Sequence, residues 1–264
     1  MMVPRRLNWW AGLILTAGLA LLVAGCPLLT DFGLGTRTTD ADIPATVPAF
    51  SAANFTNPTQ IDHAHFPLVV GSTRRYTAAT ADGAERIVVE VLDETRAVLG
   101  VVCRVVRDRV FLDDVLIEDT HDWYAQDDAG NVWYMGEEVD NYAYDDEGNL
   151  LEITHEGAWE AGQDVAGLGS VAQPGYAMKA SPAAGDRYHQ EFYAGQAEDM
   201  AEIVAVAVAV TLSDGTSYTC LKTRDFSSLD PDLNEYKYYA PAVGLVLEEA
   251  VAGGARTELV SAAP

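Results

Sequence analysis

Trp123-Tyr124-Ala125-Gln126-Asp127-Asp128-Ala129-Gly130-Asn131-Val132-Trp133-Tyr134 is the stretch whose reading decides the fold. Counting from Asp127, Gly stands fourth and Asn fifth. A type I turn followed by a left-handed residue requires such a glycine, and the product is a β-hairpin with a G1 bulge. The reversal sets Trp123-Tyr124 across from Trp133-Tyr134, so aromatic rings pair between strands in either register. Asp145-Asp146-Glu147-Gly148-Asn149 repeats the same turn pattern. Neither segment has the alternating ligands and closing Glu of an EF-hand, so both are read as turns rather than calcium loops.

Working outward, the neighbouring segments also read as strands. Arg86 to Leu92 and Val101 to Val110 are rich in β-branched residues, and Ser213-Asp214-Gly215 reverses the chain into Thr216 to Thr223. Ala201 to Leu212 alternates strictly, with Val204, Val206, Val208 and Val210 on one face and Ala205, Ala207 and Ala209 on the other. Two apolar faces predict a strand covered on both sides. From Ile61 onward no stretch carries helical periodicity. A weak duplication is also visible. Ala84-Glu85 through Cys103 to Asp108 parallels Ala201-Glu202 through Cys220 to Asp225 at an offset of 117, and Trp123-Tyr124-Ala125 parallels Tyr238-Tyr239-Ala240 at 115. The expectation is an all-β fold of antiparallel meander sheets, barrel-like or two facing half-barrels, with about ten to twelve strands. Residues 59–260 are expected to form one domain of two related units, 66–160 and 176–250.

The N-terminus reads differently. Arg5 and Arg6 precede an uncharged apolar run of 17 residues from Trp9 to Gly25, shorter than a membrane span of roughly 20. It closes on Leu22-Val23-Ala24-Gly25-Cys26, which resembles the lipobox of bacterial lipoproteins. The resemblance implies a signal helix at 1–25, cleavage before Cys26, and acylation of Cys26. Two acyl chains suffice for stable anchoring. Residues 26–58, mixed in Gly, Pro, Thr, Ala and Asp without a sustained period, read as a flexible tether. The expected location is extracytoplasmic, on the cell membrane or an outer membrane, and the membrane is a partner through the N-terminal lipid. Cleavage shifts the net charge from −24 to −26, because Arg5 and Arg6 leave and no acid does. A surface so acidic repels phosphate backbones, which argues against nucleic acid as a partner.

Several further segments together resemble a family of uncharacterised bacterial exported lipoproteins. They are Phe66-Pro67-Leu68 with Gly71, Asp119 to Asp127, Gly130-Asn131-Val132-Trp133-Tyr134, and Lys237-Tyr238-Tyr239-Ala240-Pro241 with Gly244-Leu245-Val246. The similarity spans most of residues 61 to 250. Where the family pattern has Pro before its first Gly and Pro-Gly-Val-Gly after the tyrosines, this sequence has Val70 and Pro241-Ala242-Val243-Gly244. The resemblance implies fold and export, and carries no catalytic residues.

Candidate chemistry is sparse. Cys103 and Cys220 are the two thiols left beside Cys26, and export permits a disulfide between them, although two buried core thiols are the commoner outcome for equivalent positions in two units. His63 and His65 point the same way in an extended segment and could share a metal ion, but a solvated strand explains them as well. No Gly-x-Ser-x-Gly elbow, His-Glu-x-x-His helix or phosphate-cradling loop is present, so no catalytic residue or cofactor is assigned. Trp123, Tyr124, Trp133, Tyr134, Tyr238 and Tyr239 either line a ligand groove or fill the core. Three functions stay open: a non-catalytic binding or scaffolding module with an unknown envelope protein as partner, a carrier of a lipid or other hydrophobic small molecule, and a metal-dependent protein using His63 and His65.

Overall fold

Period-two alternation and glycine reversals carry through the chain as strands. The computed structural model describes residues 45–230 and 233–264. The expected signal helix, Cys26 and the tether up to residue 44 lie outside the described residues. Strands β1 (Thr73–Ala79), β2 (Ala84–Val98), β3 (Val101–Leu112), β4 (Val115–Gln126) and β5 (Val132–Tyr144) make the first meander. Five shorter strands follow: β6 (Leu150–Thr154), β7 (Trp159–Glu160), β8 (Gln173–Met178), β9 (Arg187–His189) and β10 (Glu191–Phe192). The second meander is β11 (Asp199–Thr211), β12 (Ser217–Ser227), β13 (Asn234–Ala240), β14 (Gly244–Ala250) and β15 (Arg256–Ala263).

One antiparallel sheet connects them in the order β10-β8-β5-β4-β3-β2-β1-β15-β14-β13-β12-β11-β9, with β6 and β7 also pairing β5. The β1–β15 ladder joins the two meanders. The path ends on β9 and β10, which only Gln190 separates in sequence, so the sheet curls into a nearly closed barrel. Closure brings β8 very near that junction. A Cβ at Gly175 would lie 2.3 Å from the His189 carbonyl oxygen and 2.5 Å from the Gln190 carbonyl. Gly175 is therefore needed for close backbone approach, not for an unusual φ. Fifteen strands exceed the expected ten to twelve because β7, β9 and β10 have only two or three residues. Barrel closure fixes such strands, and no local pattern reveals them.

Both Asp-rich turns have the expected form. Gly130 and Gly148 sit at φ 92° and 83°. Asp127 N–H donates to the Asn131 carbonyl at 2.9 Å, and Asp145 N–H to the Asn149 carbonyl at 3.0 Å. The Asp127 carboxylate also accepts from the Asn131 amide and from the Trp133 indole N–H at 2.9 Å. Across this hairpin Tyr124 faces Tyr134, their rings stacked at 5.0 Å. Ala242 occupies the left-handed region at φ 64°, a conformation that favours glycine.

Two expectations need correction. Residues 45–58 are not a tether but lie against the barrel: Thr46 bridges Tyr188, Phe50 and Phe55 meet Trp133 at 5.5 and 6.0 Å, and Thr56 bonds the Asp128 carboxylate. Residues 201–212 are not covered on both sides either. Ala201 and Ile203 are buried, but Val204 and Val206 are 37% and 51% exposed. β9 pairs β11 only over Met200–Glu202, and β13 pairs β12 only over Leu221–Phe226. The rest of the β11–β12 hairpin has no further strand paired beside it among the described residues, yet Val210, Leu212 and Cys220 stay buried in the core and Ser213 N–H donates to the Glu258 carboxylate.

The two meanders agree in register over three strands. Arg104 faces Tyr124 as Leu221 faces Tyr239, and Asp108 faces Thr120 as Asp225 faces Glu235. Asp122 faces Glu137 as Lys237 faces Glu248. Each of the latter two ladders shifts register beside its tyrosine, between Asp122 and Tyr124 and between Tyr238 and Tyr239. The leading strands break the match: Val89 faces Asp108, but Ala201 rather than Val206 faces Asp225.

Gly175→Ala forces the added methyl against the closure carbonyls. The expected outcome is a loss of about 2–4 kcal/mol in urea denaturation, the range of severe steric substitutions. Unchanged stability would mean that the close approach at this junction does not exist.

Candidate functional site: a charged barrel interior

The barrel interior is polar at its centre. Asp108, Asp122, Glu137, Glu191, Asp199, Asp225, Glu235, Lys237 and Glu248 are all buried. They come from eight strands, and the matched registers place four of them as two equivalent cross-strand pairs. The equivalents differ in sign: one meander sets Asp122 against Glu137, and the other sets Lys237 against Glu248.

Lys237 organises the second half. Its Nζ lies 3.1 Å from Glu235 Oε1, 3.3 Å from Asp225 Oδ2 and 3.8 Å from Glu248 Oε2. Burial works against its charge, but these three carboxylates outweigh burial and push its pKa well above the ordinary value. Asp225 is further held by the Thr223 hydroxyl, which donates at 2.7 Å. Three carboxylates around one ammonium still leave excess negative charge, and burial raises the pKa values of Glu235 and Glu248. Asp199 is pushed up to about 7, by burial first, against the opposing effects of Ser227 and Lys237.

The first half has no lysine. Asp122 accepts a hydrogen bond from the Tyr134 hydroxyl at 2.8 Å, yet burial pushes its pKa up to about 7. Glu137, directly opposite, is raised well above its ordinary value by burial and then by Asp122. Two carboxylates facing each other away from water do not both ionise. Burial likewise raises Glu191 and Asp108 well above the carboxylate range. Neither oxygen of Asp108 has a hydrogen-bond partner among the described residues, and the side chain is 3% exposed. A carboxyl group there keeps its proton.

Little empty space remains. The opening among Tyr124, Tyr134, Asp199, Glu235, Lys237 and Tyr239 measures about 20 Å³, room for about one water molecule. A second opening, beside Phe66, Tyr76 and Leu245, is equally small. A large concavity, about 940 Å³, opens to solvent and is walled by Thr77, Arg86, Asp114, Ser213, Arg256 and Val260 among others. Raised carboxyl pKa values accompany catalytic acids as well as structural ones. Here the groups sit behind packed rings with room for no substrate.

The residues singled out from sequence fall as follows. Trp123, Tyr124, Trp133, Tyr134, Tyr238 and Tyr239 are all buried and serve as packing, with no open groove along them. Tyr124 and Tyr239 flank Phe66 at 5.5 and 6.3 Å. His63 is buried, with Nε2 3.0 Å from the Lys179 carbonyl and Nδ1 accepting the His65 backbone N–H at 3.2 Å. Both its ring nitrogens are thus occupied, and burial holds its pKa below the ordinary value. The His65 ring centroid lies 6.0 Å from that of His63. Among the described residues no group of three or more His, Cys, Asp or Glu side chains is arranged to hold a metal. Cys103 and Cys220 are separate, buried, free thiols, raised by burial to about 12 and about 11. Cys26 lies outside the described residues. The interior acids were not singled out. The signal for them was the duplication, which aligns Asp108 with Asp225 and sets a charged residue two positions before a tyrosine at both Asp122-Tyr124 and Lys237-Tyr239.

No family model, curated protein or solved structure matches the chain.

The raised carboxyl values fix a pH dependence. Unfolded carboxyls titrate near pH 4, while these keep their protons to about 7 or beyond. Stability is therefore fully present below about pH 4 for these groups and is lost as pH rises through the folded values. Each retained proton contributes roughly 1.4 kcal/mol per pH unit. His63, His65 and His189, held neutral by burial, pull the other way below about pH 6.5, but the carboxyls outnumber them. The expected outcome is greatest stability near pH 4 and a steady fall towards pH 8.5 in urea titrations. Asp199→Asn keeps the shape but cannot ionise, so it should match the native chain near pH 4.5 and exceed it by about 1–4 kcal/mol at pH 8.5. Stability rising from pH 5 to 8.5 would overturn this assignment.

Proposed function

We propose that the chain is a lipid-anchored, extracytoplasmic β-barrel protein acting as a non-catalytic binding or scaffolding module of the cell envelope. The observation that carries the reading is the filled interior. A carrier of a lipid or similar ligand needs an apolar cavity of several hundred Å³, and the interior spaces here are about 20 Å³ each, the more central of them ringed by carboxylates. Binding is thereby directed to the outer surface, where the large concavity presents Arg86 and Arg256 beside Asp114. A metal-dependent role has less support, since His63 spends both ring nitrogens on backbone groups.

Anchoring rests on the sequence ending in Cys26. Among the described residues no helix is long and apolar enough to cross a membrane. Acylation at Cys26 supplies attachment without one.

Two measurements test the reading. Cells fed a clickable fatty acid should label the native chain and not Cys26→Ala, which should leave the membrane fraction; label retained by Cys26→Ala contradicts anchoring at this residue. Native mass spectrometry of the detergent-purified chain should give the protein mass with no stoichiometric lipid beyond the covalent one. A second lipid bound one to one would replace the module reading with that of a carrier.

A further inference from the structure

We propose that Lys237 and Asp225 join through a side-chain amide, an isopeptide bond that the barrel interior forms on itself with Glu235 as proton carrier. The observations behind this do not depend on how the chain is anchored.

Three strands bring the reacting groups together. Thr223 faces Lys237 across the β12–β13 ladder, Asp225 faces Glu235, and Glu248 on β14 faces Lys237 from the other side. All five side chains are buried. Lys237 Nζ lies 3.3 Å from Asp225 Oδ2 and 3.1 Å from Glu235 Oε1. Asp225 Cγ is one bond from Oδ2, so amine and carboxyl are held close to the attacking geometry before any rearrangement.

The two oxygens of Asp225 are held differently. The Thr223 hydroxyl donates to Oδ1 at 2.7 Å, while Oδ2 faces Nζ and the Gln190 amide. Oδ1 is thus polarised to stay as the amide carbonyl, and Oδ2 is the oxygen that leaves. Attack needs the neutral amine, and the resting lysine is an ammonium held by carboxylates. Glu235, the nearest of them, takes its proton. The resulting pair of amine and carboxylic acid carries no charge to desolvate. The Nζ lone pair then forms the bond to Asp225 Cγ. Glu235 returns its proton to Oδ2, passes a second amine proton to the same oxygen, and the Cγ–Oδ2 bond breaks.

One ammonium and one carboxylate become one amide and one water. Glu235 ends as it began, and no other reactant is consumed. The water has a place to go, because the opening of about 20 Å³ is lined by Gln190, Asp199, Asp225, Glu235 and Lys237. Packed rings keep out the bulk water that would reverse the step. A positive and a negative charge vanish together, so the net charge of the interior is unchanged. The first meander carries Asp122 at the position of Lys237 and has no amine for the same reaction.

Tryptic mapping of the unfolded full-length chain tests this. After Arg224, the next sites for trypsin are Lys237 and Arg256. An amide at Nζ blocks cutting after Lys237. The expected product is residues 225–256 as one peptide, lighter than its sequence by one water and giving no fragment ions between Asp225 and Lys237. Lys237→Arg cannot form the bond and Glu235→Gln removes the proton carrier, so both are expected to be cut after position 237 with no water lost. Should either variant lose its strand circular dichroism, the native chain decides alone. A native chain cut after Lys237 at full mass overturns the proposal. So does a lost water with Lys237 still open to trypsin, the mark of a cyclised aspartyl backbone, or a bridge mapped to Glu248. A bond undiminished by Glu235→Gln overturns it as well.

Discussion

A charge inside a closed barrel has no water to turn to, and this constraint governs the arrangement of the whole molecule. Eight carboxyl groups and one ammonium share the interior. Such a set is tolerable only when most acids are protonated or gathered around the cation. Lys237 supplies the gathering point on one side. On the other, Asp122 and Glu137 face each other and divide the available protons. The rings of Tyr124, Tyr134 and Tyr239 wall this centre and exclude the solvent that would otherwise screen it, which ties the electrostatics to the packing. Phe66, carried in by the segment ahead of β1, seals against two of those rings.

The matched registers show how one scaffold holds two electrostatic solutions. β3-β4-β5 and β12-β13-β14 repeat the same pairing and the same irregularity beside the tyrosine, while an aspartate in one becomes a lysine in the other. Each solution compensates the other: without Lys237 the interior holds only acids, and with lysines at both positions the centre gains a second buried cation. The shared geometry stops at the leading strands. That departure has a structural consequence, because β11 runs beyond β9 with Val204 and Val206 exposed while Val210 and Leu212 remain in the core.

Much of the fold was legible locally. Gly130, Gly148 and Gly215 mark reversals made by a residue in the left-handed region, and the β-branched runs before Gly130 and the run after Gly215 read as β2, β3 and β12. Closure was not legible. β9 and β10 amount to five residues, and their pairing depends on Gly175 arriving from a distant strand. The chemistry of the interior was hidden for a different reason. In an alternating strand an inward acid looks the same as an outward one, and His121-Asp122-Trp123-Tyr124 allows either phase. Ala201–Leu212 misled in the opposite direction, since two register shifts within Ile203–Val208 put Val204 and Val206 outside and Val210 inside, which strict alternation in sequence does not reveal. Phe50 and Phe55 sit in a stretch whose composition reads as linker, and only the indole of Trp133 gives them a place.

A filled, proton-holding core leaves the outside as the working surface, which is why the functional reading depends on the interior assignment. Difference infrared spectroscopy of the protein across pH observes that assignment directly, through the carbonyl stretch of protonated carboxylic acids. The account requires such a band to persist at pH 7, from several carboxyls per chain, and to diminish on Asp199→Asn. A protein whose carboxyls are all ionised at pH 7 would contradict it.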